Sequence, residues 1–578
     1  MSDAPHQHEQ LSVLANEFWE LTMRSSPTEA TLLGDHRYDD QIEDLSAEGE
    51  AALRSAHAEL RTRLQAIDTR PLGLVDQVTA ALLMTSLDDR ILVADLGLAE
   101  LASDQMDGPH MTYLVCAPQL AAAEPEHADM LVGRLGRLGG ALDDALDRFR
   151  DGLARGRTPA QLCVARSINS IDGYLASPIT TDPFVNLEGP ADWSGDAAWR
   201  DALTEVVRNS VRPAYQRFRD ALESELLPRG RPDDKAGLCW IDDGEELYTA
   251  LLRLHTSIDI TADEIHQIGV EHVEIALPAE YRMLGARAFG TDDINEIFDR
   301  IRDDPDLKFP SADAIVERAE ATVARGTAAM DGWFGRLPKA PCRVEPVPEF
   351  MEKDLPGAYY FPPAEDGSRP GTYFINRRNA TEQSRVEAES VAFHEAIPGH
   401  HLQLAIASEL VGLPAFRRHL TGSTSYIEGW GLYAERLADE MGLYSDDVDR
   451  LGMLAADSWR AGRLVVDTGL HAKGWSRERA RDYLGTNAPV GIDELEAEID
   501  RYVAIPGQAV SYKVGQRAIT ELRADAESTL GRRFDIRGFH DAVLGSGGVT
   551  LPVLRQIVHA WVEQVRDDAV VDSPPNAR

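Results

Sequence analysis

Residues 389–405 read ESVAFHEAIPGHHLQLA, a stretch that places three histidines and a glutamate within eight positions. A His-Glu pair followed closely by another His on a helix is the arrangement that zinc peptidases use. The imidazoles bind the metal, and the glutamate after the first His deprotonates a metal-bound water. We therefore expect His394 to be a zinc ligand and Glu395 to be the general base.

The second histidine ligand needs an argument, because the residue four positions after His394 is Pro398. In an unbroken helix His400 would point about 120° away from His394, and His401 would lie about 10 Å along the axis. The Pro398-Gly399 dipeptide is expected to interrupt that helix, since proline removes a backbone hydrogen bond and glycine permits irregular backbone. A two-residue bulge would bring His400 to the ligand position. The sequence favours His400 and leaves His401 as the alternative, with a supporting or substrate-orienting role for the other histidine.

A third protein ligand is expected in the downstream segment TSYIEGWGLYAERLADEMG (424–442). Glu428 opens this helical stretch, and Glu435 follows two turns later on the same face. A carboxylate from a neighbouring helix completes a two-His, one-Glu zinc site and leaves one position open. We predict Glu428 as the third ligand, Glu435 as a supporting residue, and one zinc ion per chain.

Helical patterns dominate the rest of the chain. Apolar residues from Leu11 to Phe18 follow the i, i+3, i+4, i+7 spacing of an amphipathic helix. Capping boxes are predicted at Ser26–Glu29 and Thr261–Glu264. Stretches rich in Ala, Leu, Arg and Glu favour further helices at 48–67, 131–156, 196–226 and 311–331. The predicted fold class is mainly α.

One region departs from this pattern, where residues 349–376 read EFMEKDLPGAYYFPPAEDGSRPGTYFIN. Two short aromatic runs separated by a Pro/Gly/Asp loop predict strands at Ala358–Phe361 and Thr372–Ile375, as in a hairpin. This small β-sheet is expected next to the metal-binding helix. Tyr373 is predicted to bind substrate, because its strand could pair with an extended substrate through backbone hydrogen bonds.

The chain is expected to form a single compact unit with a soft internal boundary. A helical N-terminal half, residues 1–235, is predicted to pack on a zinc-binding catalytic half, residues 236–578. The polar segment RGRPDDKAG (229–237) marks the boundary. Hydrophobic residues make up 43% of the chain, which is enough for a large core.

Composition restricts the partners and the compartment. The chain has 58 Lys and Arg against 97 Asp and Glu, a net charge of −39 that argues against nucleic-acid binding. Four dispersed cysteines without CxxC spacing are typical of a reducing compartment. The start MSDAPHQHEQ lacks the features of a signal peptide, and no apolar run approaches the ~18 residues that span a bilayer. We expect a cytoplasmic protein with no membrane partner, and the oligomeric state stays open.

Several segments together resemble a widespread bacterial family, domain-of-unknown-function family 885 (DUF885). The resemblance covers roughly residues 15–565, and the family's name gives a domain but no assigned reaction. The segments that carry it are HEAIPGHHLQ (394–403), PTEATLLGDHRYDD (27–40), YTALLRLHTSIDITADEIHQIG (248–269), RLVVDTGLHAKGW (463–475), PGQAVSYKVGQ (506–516) and FHDAVLGSGG (539–548).

This family is in turn similar to the gluzincin zinc peptidases, especially the helical group of angiotensin-converting enzyme, thimet oligopeptidase and carboxypeptidase Taq. Those enzymes have HExxH, often with Gly before the second His. Aligning Gly399-His400 with that pair leaves a two-residue insertion here and supports His400 as the ligand. IEGWGLYAE (427–435) resembles the segment that supplies their glutamate ligand. The resemblance implies a large helical body with a deep central channel and zinc at its floor.

Further candidates lie near the C terminus. The segment SYKVGQ is similar to one where helical metallopeptidases place a tyrosine, so Tyr512 is expected to donate a hydrogen bond to the tetrahedral oxyanion. Lys513 or Gln516 is a candidate anchor for a substrate carboxylate. Asp467 and His471 lie one helical turn apart, so the carboxylate can orient the imidazole toward substrate. An ordinary exposed helix pair is the alternative for Asp467 and His471.

These residues predict a zinc-dependent hydrolase, most simply a peptidase that acts on short peptides. The expected metal ligands are His394, His400 and Glu428, and Glu395 would take a proton from the attacking water and return one to the leaving amine. Hydrolysis of a non-peptide amide or ester and a catalytically silent binding protein on the same fold are the alternatives. The sequence has no P-loop, dinucleotide fingerprint or GxSxG elbow, so nucleotide and serine-hydrolase chemistries have no support.

Overall fold

The computed structural model describes residues 4–347, 352, 357–363, 370–420 and 422–571, and this part of the chain is mainly helical, as predicted. Short π-helical segments at Val207–Val211, Leu222–Leu226 and His272–Ala276 extend or join neighbouring helices. The α-helices are α1 (Ala4–Ser25), α2 (Pro27–Leu32), α3 (Ala47–Gln65), α4 (Leu74–Leu96), α5 (Pro109–Cys116), α6 (Pro125–Ala154), α7 (Gln161–Ala176), α8 (Asp196–Val206), α9 (Arg212–Ala221), α10 (Gly244–Thr256), α11 (Ala262–Glu271), α12 (Leu277–Ala288), α13 (Ile294–Asp303), α14 (Ala312–Ala329), α15 (Ala388–Glu395), α16 (His400–Ser408), α17 (Ala415–His419), α18 (Thr424–Glu440), α19 (Asp447–His471), α20 (Arg477–Asn487), α21 (Ile492–Ala504), α22 (Ser511–Leu530), α23 (Ile536–Leu544) and α24 (Leu551–Val571). Among the described residues, no helix combines the length and apolarity needed to cross a bilayer.

The two predicted capping boxes have different outcomes. At the start of α11 the Thr261 hydroxyl accepts a hydrogen bond from the Glu264 amide, and the Glu264 carboxylate accepts one from the Thr261 amide, as predicted. At the start of α2 the Ser26 side chain makes no capping bond, so the second prediction is wrong. The Thr28 amide instead donates to Glu43 Oε1 at 2.9 Å, so a carboxylate from another part of the chain caps the helix.

The largest apolar core joins the two ends of the chain. Its buried residues include Phe18 of α1, Trp430 of α18 and Leu554 of α24. Phe18 packs edge-on against Phe416 of α17, with 5.7 Å between the ring centres. The fully buried residues of a second core all lie between Tyr113 and Leu226, and partly buried residues such as Leu45 pack against them. The two predicted halves therefore share one core, and the N-terminal half has another of its own.

A small three-stranded sheet lies beside α15 and α16, with β1 (Cys342–Pro346), β2 (Ala358–Phe361) and β3 (Gly371–Ile375) in the order β1-β3-β2. β2 runs antiparallel to β3, with Tyr360 opposite Tyr373, which confirms the two predicted strands. β1 was not predicted, and it pairs with β3 in parallel. The strand that the sequence predicts to pair with substrate, Thr372–Ile375, is therefore the central strand β3.

The close packing of α18 against α22 brings the C-terminal part of the chain to the metal-binding region. A Cβ on Gly429 would lie 2.4 Å from the backbone carbonyl carbon of Gly515, so the two backbones touch. Only glycine permits this approach. Gln516 Nε2 donates to Leu432 O at 3.0 Å across the same contact. As a result, Tyr512 in the first turn of α22 lies near the α18 residues expected to bind metal.

Candidate metal centre

The three predicted zinc ligands come together although they belong to three different helices. His394 Nε2 lies 3.3 Å from Glu428 Oε2, and His400 Nε2 lies 3.5 Å from the same oxygen. The donor atoms of all three residues are within 4.8 Å of one another. The two imidazole planes cross at 82°. A metal ion binds an imidazole nitrogen in the plane of the ring, so rings at this angle can direct their lone pairs at one ion.

The helix is interrupted between these two histidines, as the Pro-Gly dipeptide predicts. α15 ends at Glu395 and α16 begins at His400, and Gly399 between them has φ −82° and ψ −126°. Trp430 Nε1 donates to Pro398 O at 3.0 Å and so fixes the connecting segment. A Cβ on Gly399 would lie 1.9 Å from a carbonyl oxygen of α15, which leaves room for glycine alone. This turn places the second histidine beside the first.

The alternative ligand, His401, points toward the sheet. Its Nε2 donates to Ala340 O at 3.1 Å, and its Nδ1 accepts from the Tyr360 hydroxyl at 2.9 Å. Burial lowers the pKa of His401 to about 4, so the ring is neutral with both nitrogens engaged. The geometry favours His400 over His401 as the second ligand.

A second carboxylate from α18 orients the first histidine. His394 Nδ1 donates to Glu435 Oε1 at 2.8 Å, and Ser390 Oγ donates to Glu435 Oε2 at 2.7 Å. This hydrogen bond fixes the tautomer of His394 and directs its Nε2 toward Glu428. Glu435 thus lies where the sequence placed a supporting residue.

Negative charge is concentrated around the three candidate ligands. Burial alone would lower the pKa of His394, but hydrogen bonds to Glu428 and Glu435 raise it to about 10. Burial opposes ionisation of Glu428, yet the two histidines hold the pKa of Glu428 well below its usual range. Burial raises the pKa of Glu395, against the attraction of His400 and His394. An ionised ligand beside a more basic carboxyl group is an arrangement suited to a metal ion and a general base.

All three candidate ligands and Glu395 line one cavity of about 990 Å³. Its wall includes residues of β2, β3, α19 and α21. Tyr512 also lines it, with its ring centre 6.5 Å from that of His394. The Tyr512 hydroxyl accepts from Arg501 Nη2 at 3.3 Å. The predicted tyrosine is therefore on the cavity wall next to the candidate metal ligands.

Tyr373 lines the cavity too, but its strand cannot bind substrate in the way predicted. The side chain is buried, and β3 has β1 on one side and β2 on the other. Both of its backbone edges are therefore already paired, and an extended substrate cannot add to it. Among the three strands that the structure describes, β2 lies at one end of the order, and Ala358, Tyr359 and Tyr360 of β2 line the cavity.

The two predicted carboxylate anchors on α22 do not lie on the cavity wall. Lys513 is buried, and its ammonium group forms an ion pair with Asp457. Gln516 donates to a backbone carbonyl of α18 and is also buried. Neither is among the residues that line the cavity, because both face the helices packed behind it. Their positions give no support to the predicted substrate contacts.

His471 is likewise placed away from the cavity. It is fully buried, its Nδ1 accepts from the Leu238 amide at 3.1 Å, and its Nε2 donates to Tyr502 O at 2.9 Å. Asp467 accepts hydrogen bonds from the Tyr248 hydroxyl and the Gly507 amide, so it does not orient the imidazole. Both residues are fully buried and join neighbouring helices, so their positions give no support to a role at the cavity, and the alternative of an exposed helix pair is wrong.

Sequence reasoning missed the arginines on the cavity wall, and two of them, Arg463 of α19 and Arg501 of α21, lie beside Tyr512. The Arg463 guanidinium lies 4.6 Å from the centre of the Tyr512 ring. Arg463 is only 3% exposed within a long stretch of buried residues. Charged residues are rarely buried without a partner or a function. Because α19 also carries Asp457, Arg460 and Asp467, its sequence alone does not single out Arg463.

A second group of possible metal ligands is formed by His36, Asp39 and His127. The two imidazole rings of this group stack with 4.1 Å between centres and 12° between planes. Nearly parallel planes at this separation cannot both contain one metal ion. The lone pairs of His36 and His127 therefore do not point at one common position, unlike those of His394 and His400.

Comparison with known proteins gives a family and similar folds. Residues 27–558 match the family model described as "Bacterial protein of unknown function (DUF885)". A crystal structure described as "the putative lipoprotein from Colwellia psychrerythraea" has a TM-score of 0.90 and 26% identity, and covers 96% of this chain and 99% of that chain. A "putative lipoprotein of unknown function from Shewanella oneidensis" has a TM-score of 0.75 and 18% identity, covers 95% of this chain and 99% of that chain, and supports the fold alone. No curated protein matches the chain.

Proposed function

The chain belongs to the DUF885 family, and from its candidate metal centre we propose that it is a zinc-dependent hydrolase that acts as a peptidase on short peptides. The observation that carries the proposal is the convergence of His394, His400 and Glu428 next to Glu395 in one cavity. The proposed kinship with gluzincin peptidases rests on the sequence around these residues.

The residues fit a zinc ion. Two imidazoles and one carboxylate form the donor set of catalytic zinc sites, and three protein ligands leave a position open on the cavity side. Glu435 orients His394 in the way that carboxylates orient zinc-binding histidines. Zinc, when bound, supplies Lewis acidity toward a carbonyl oxygen and lowers the pKa of water.

Two further residues of the chain take part in the proposed reaction. Glu395 accepts a proton from the attacking water and returns it to the leaving amine, and the raised pKa of its carboxyl suits this task. Tyr512 donates a hydrogen bond to the oxyanion that develops on the carbonyl oxygen. Arg501 holds the Tyr512 hydroxyl at 3.3 Å and so keeps the ring on the cavity wall.

The cavity favours short peptides over a small metabolite. Its volume of about 990 Å³ lies at the upper end of the range for small-molecule pockets, about 300–1,000 Å³. Residues of β2, α19 and α21 form much of the wall, and they combine apolar, aromatic and charged side chains. A cavity of this size and mixed polarity has room for both the main chain and the side chains of a short peptide.

Metal analysis and peptide cleavage test the proposal. We expect about one zinc per chain by elemental analysis and chelator-sensitive cleavage of a pool of short peptides, followed by mass spectrometry. Glu395→Gln should retain zinc and lose about 10²- to 10⁴-fold in turnover, since the base is removed. His394→Ala should lose the metal.

The matched control is Glu382→Gln, the same change at an exposed position on the cavity wall, which should leave turnover unchanged. Full activity of Glu395→Gln, or a purified protein that does not bind zinc, would reject the proposal.

A further inference from the structure

Tyr373 presents an unpaired phenol to the metal cavity. The side chain is only 3% exposed, and it lines the same cavity as Glu395 and the candidate ligands. Its hydroxyl makes no hydrogen bond to a residue that the structure describes. Unlike the unpaired hydroxyl of Tyr174, it is not enclosed by the protein. A buried phenol normally has a partner, so this hydroxyl is suited to bind a ligand that enters the cavity.

Buried phenols in other parts of the structure illustrate the usual arrangement. Tyr215 donates to His110 O at 2.8 Å, and Tyr426 donates to Val543 O at 2.9 Å. Each of these hydroxyls has a protein acceptor that offsets the cost of its burial. Tyr373 differs from them because its hydroxyl is unpaired on a cavity wall.

The register of the sheet directs Tyr373 toward the metal-binding helices. Tyr373 of β3 lies directly opposite Tyr360 of β2, so the two side chains share one face of the sheet. The Tyr360 hydroxyl donates to His401 Nδ1 at 2.9 Å, so this face is turned toward α16. His401 directly follows the candidate ligand His400. Tyr373 therefore lies on the face of the sheet that packs beside the candidate metal centre.

Tyr373 also interacts electrostatically with the proposed general base. Burial and the negative charge of Glu395 raise the pKa of Tyr373, so the phenol stays protonated at neutral pH. A protonated phenol donates a hydrogen bond. The main chain of a peptide offers carbonyl oxygens as acceptors on both sides of the bond to be cleaved. A donor beside the general base is therefore suited to a carbonyl next to that bond.

We infer that the Tyr373 hydroxyl donates a hydrogen bond to a main-chain carbonyl of the bound peptide and so positions the bond to be cleaved at Glu395. The inference rests on the proposed peptidase function. It differs from the role expected of strand β3, because the side chain and not the backbone contacts the substrate. The developing oxyanion remains the partner of Tyr512.

The probe is a ketomethylene analogue of N-acetyl-tetraalanine amide, in which CH₂ replaces the nitrogen of the central amide. The analogue cannot be cleaved, has no charged terminus and keeps its main-chain carbonyls. Its binding to the full-length protein is measured by calorimetry. Tyr373→Phe removes only the hydroxyl, and we expect the analogue to bind about 5- to 100-fold more weakly, because one of its carbonyls loses a donor.

Thermal unfolding of the ligand-free protein separates a substrate contact from a structural role. An unpaired hydroxyl adds no hydrogen bond to the free protein, so Tyr373→Phe should leave the unfolding midpoint unchanged or raise it. Tyr215→Phe is the matched control, since it removes a buried hydroxyl that has a protein partner and does not line the cavity. This control should lower the midpoint and leave binding of the analogue unchanged.

Native binding of the analogue to Tyr373→Phe overturns the inference, and so does a wild type that does not bind it. Native binding together with a lower unfolding midpoint would assign the hydroxyl a structural role instead. Cleavage of the parent peptide is measured alongside. Cleavage by the wild type with the same KM in Tyr373→Phe keeps the peptidase function and rejects the contact. Weaker binding to Tyr373→Phe, without cleavage by the wild type, supports the contact and rejects the peptidase function.

Discussion

Replacing Gly399 with alanine tests whether the interruption between α15 and α16 builds the metal centre. The new Cβ would lie 1.9 Å from His394 O and 2.4 Å from Phe393 O. Non-bonded carbon and oxygen atoms normally stay about 3.5 Å apart, so the backbone has to move by about 1.5 Å. Metal–ligand distances tolerate only about 0.2 Å. We therefore expect His400 to leave its position and zinc affinity to fall by more than about 100-fold, beyond the usual effect of residues that merely support ligands.

A competition assay with a fluorescent zinc chelator measures this loss. Near-ultraviolet circular dichroism of the zinc-free variant checks that tertiary structure is retained. Gly412→Ala is the matched control, because nothing lies within 4 Å of a Cβ at that exposed glycine, and native affinity is expected. Native zinc affinity in Gly399→Ala would refute the reasoning, since it would mean that this turn does not position the second histidine.

Three other substitutions address separate contacts. Glu435→Gln removes the carboxylate that orients His394 and should weaken zinc binding by about 10- to 100-fold; unchanged affinity in the same competition assay would contradict that role. His401→Ala should retain one zinc per chain and lower the free energy of unfolding by about 1–3 kcal/mol through lost buried hydrogen bonds, whereas loss of zinc would identify it as a ligand. Burial raises the pKa of Asp467 to about 7, so its contribution to stability is fully present below about pH 4 and is lost as the pH rises to about 7. Urea denaturation should therefore show the wild type losing up to about 4 kcal/mol relative to Asp467→Asn across that range, and parallel pH curves would disprove it.

The fold was predictable where the information is local. The apolar stripe beginning at Leu11 and the reciprocal cap at Thr261 depend on residues within two turns, and both appear as expected in α1 and α11. The cap at Ser26 failed because Glu43, 15 residues from Thr28, takes its place. β1 was missed because a five-residue run containing Arg and Pro becomes a strand only through pairing with β3. Contacts between distant segments decided both cases.

The residues of the candidate metal centre were predictable because they too are close together in the sequence. The residues that line the rest of the cavity were not. His394, Glu395 and the Pro-Gly turn are contiguous in sequence, and Glu428 and Glu435 share one helix face. The roles of charged residues elsewhere depend on partners that the sequence does not reveal. Lys513 is neutralised by Asp457, 56 residues away, and the equally buried Arg463 is paired with Glu498, 35 residues away.

Helix α18 supplies both the carboxylate expected on the ion and the one that holds His394 from behind. A slide or tilt of this helix carries both groups in the same direction, so neither can compensate for the loss of the other. A bound ion would therefore link α15 to α18, and both links would break together when the two helices separate. Removal of the metal should first weaken the contact between α15 and α18. The rate at which these two helices separate would then limit the rate of metal dissociation.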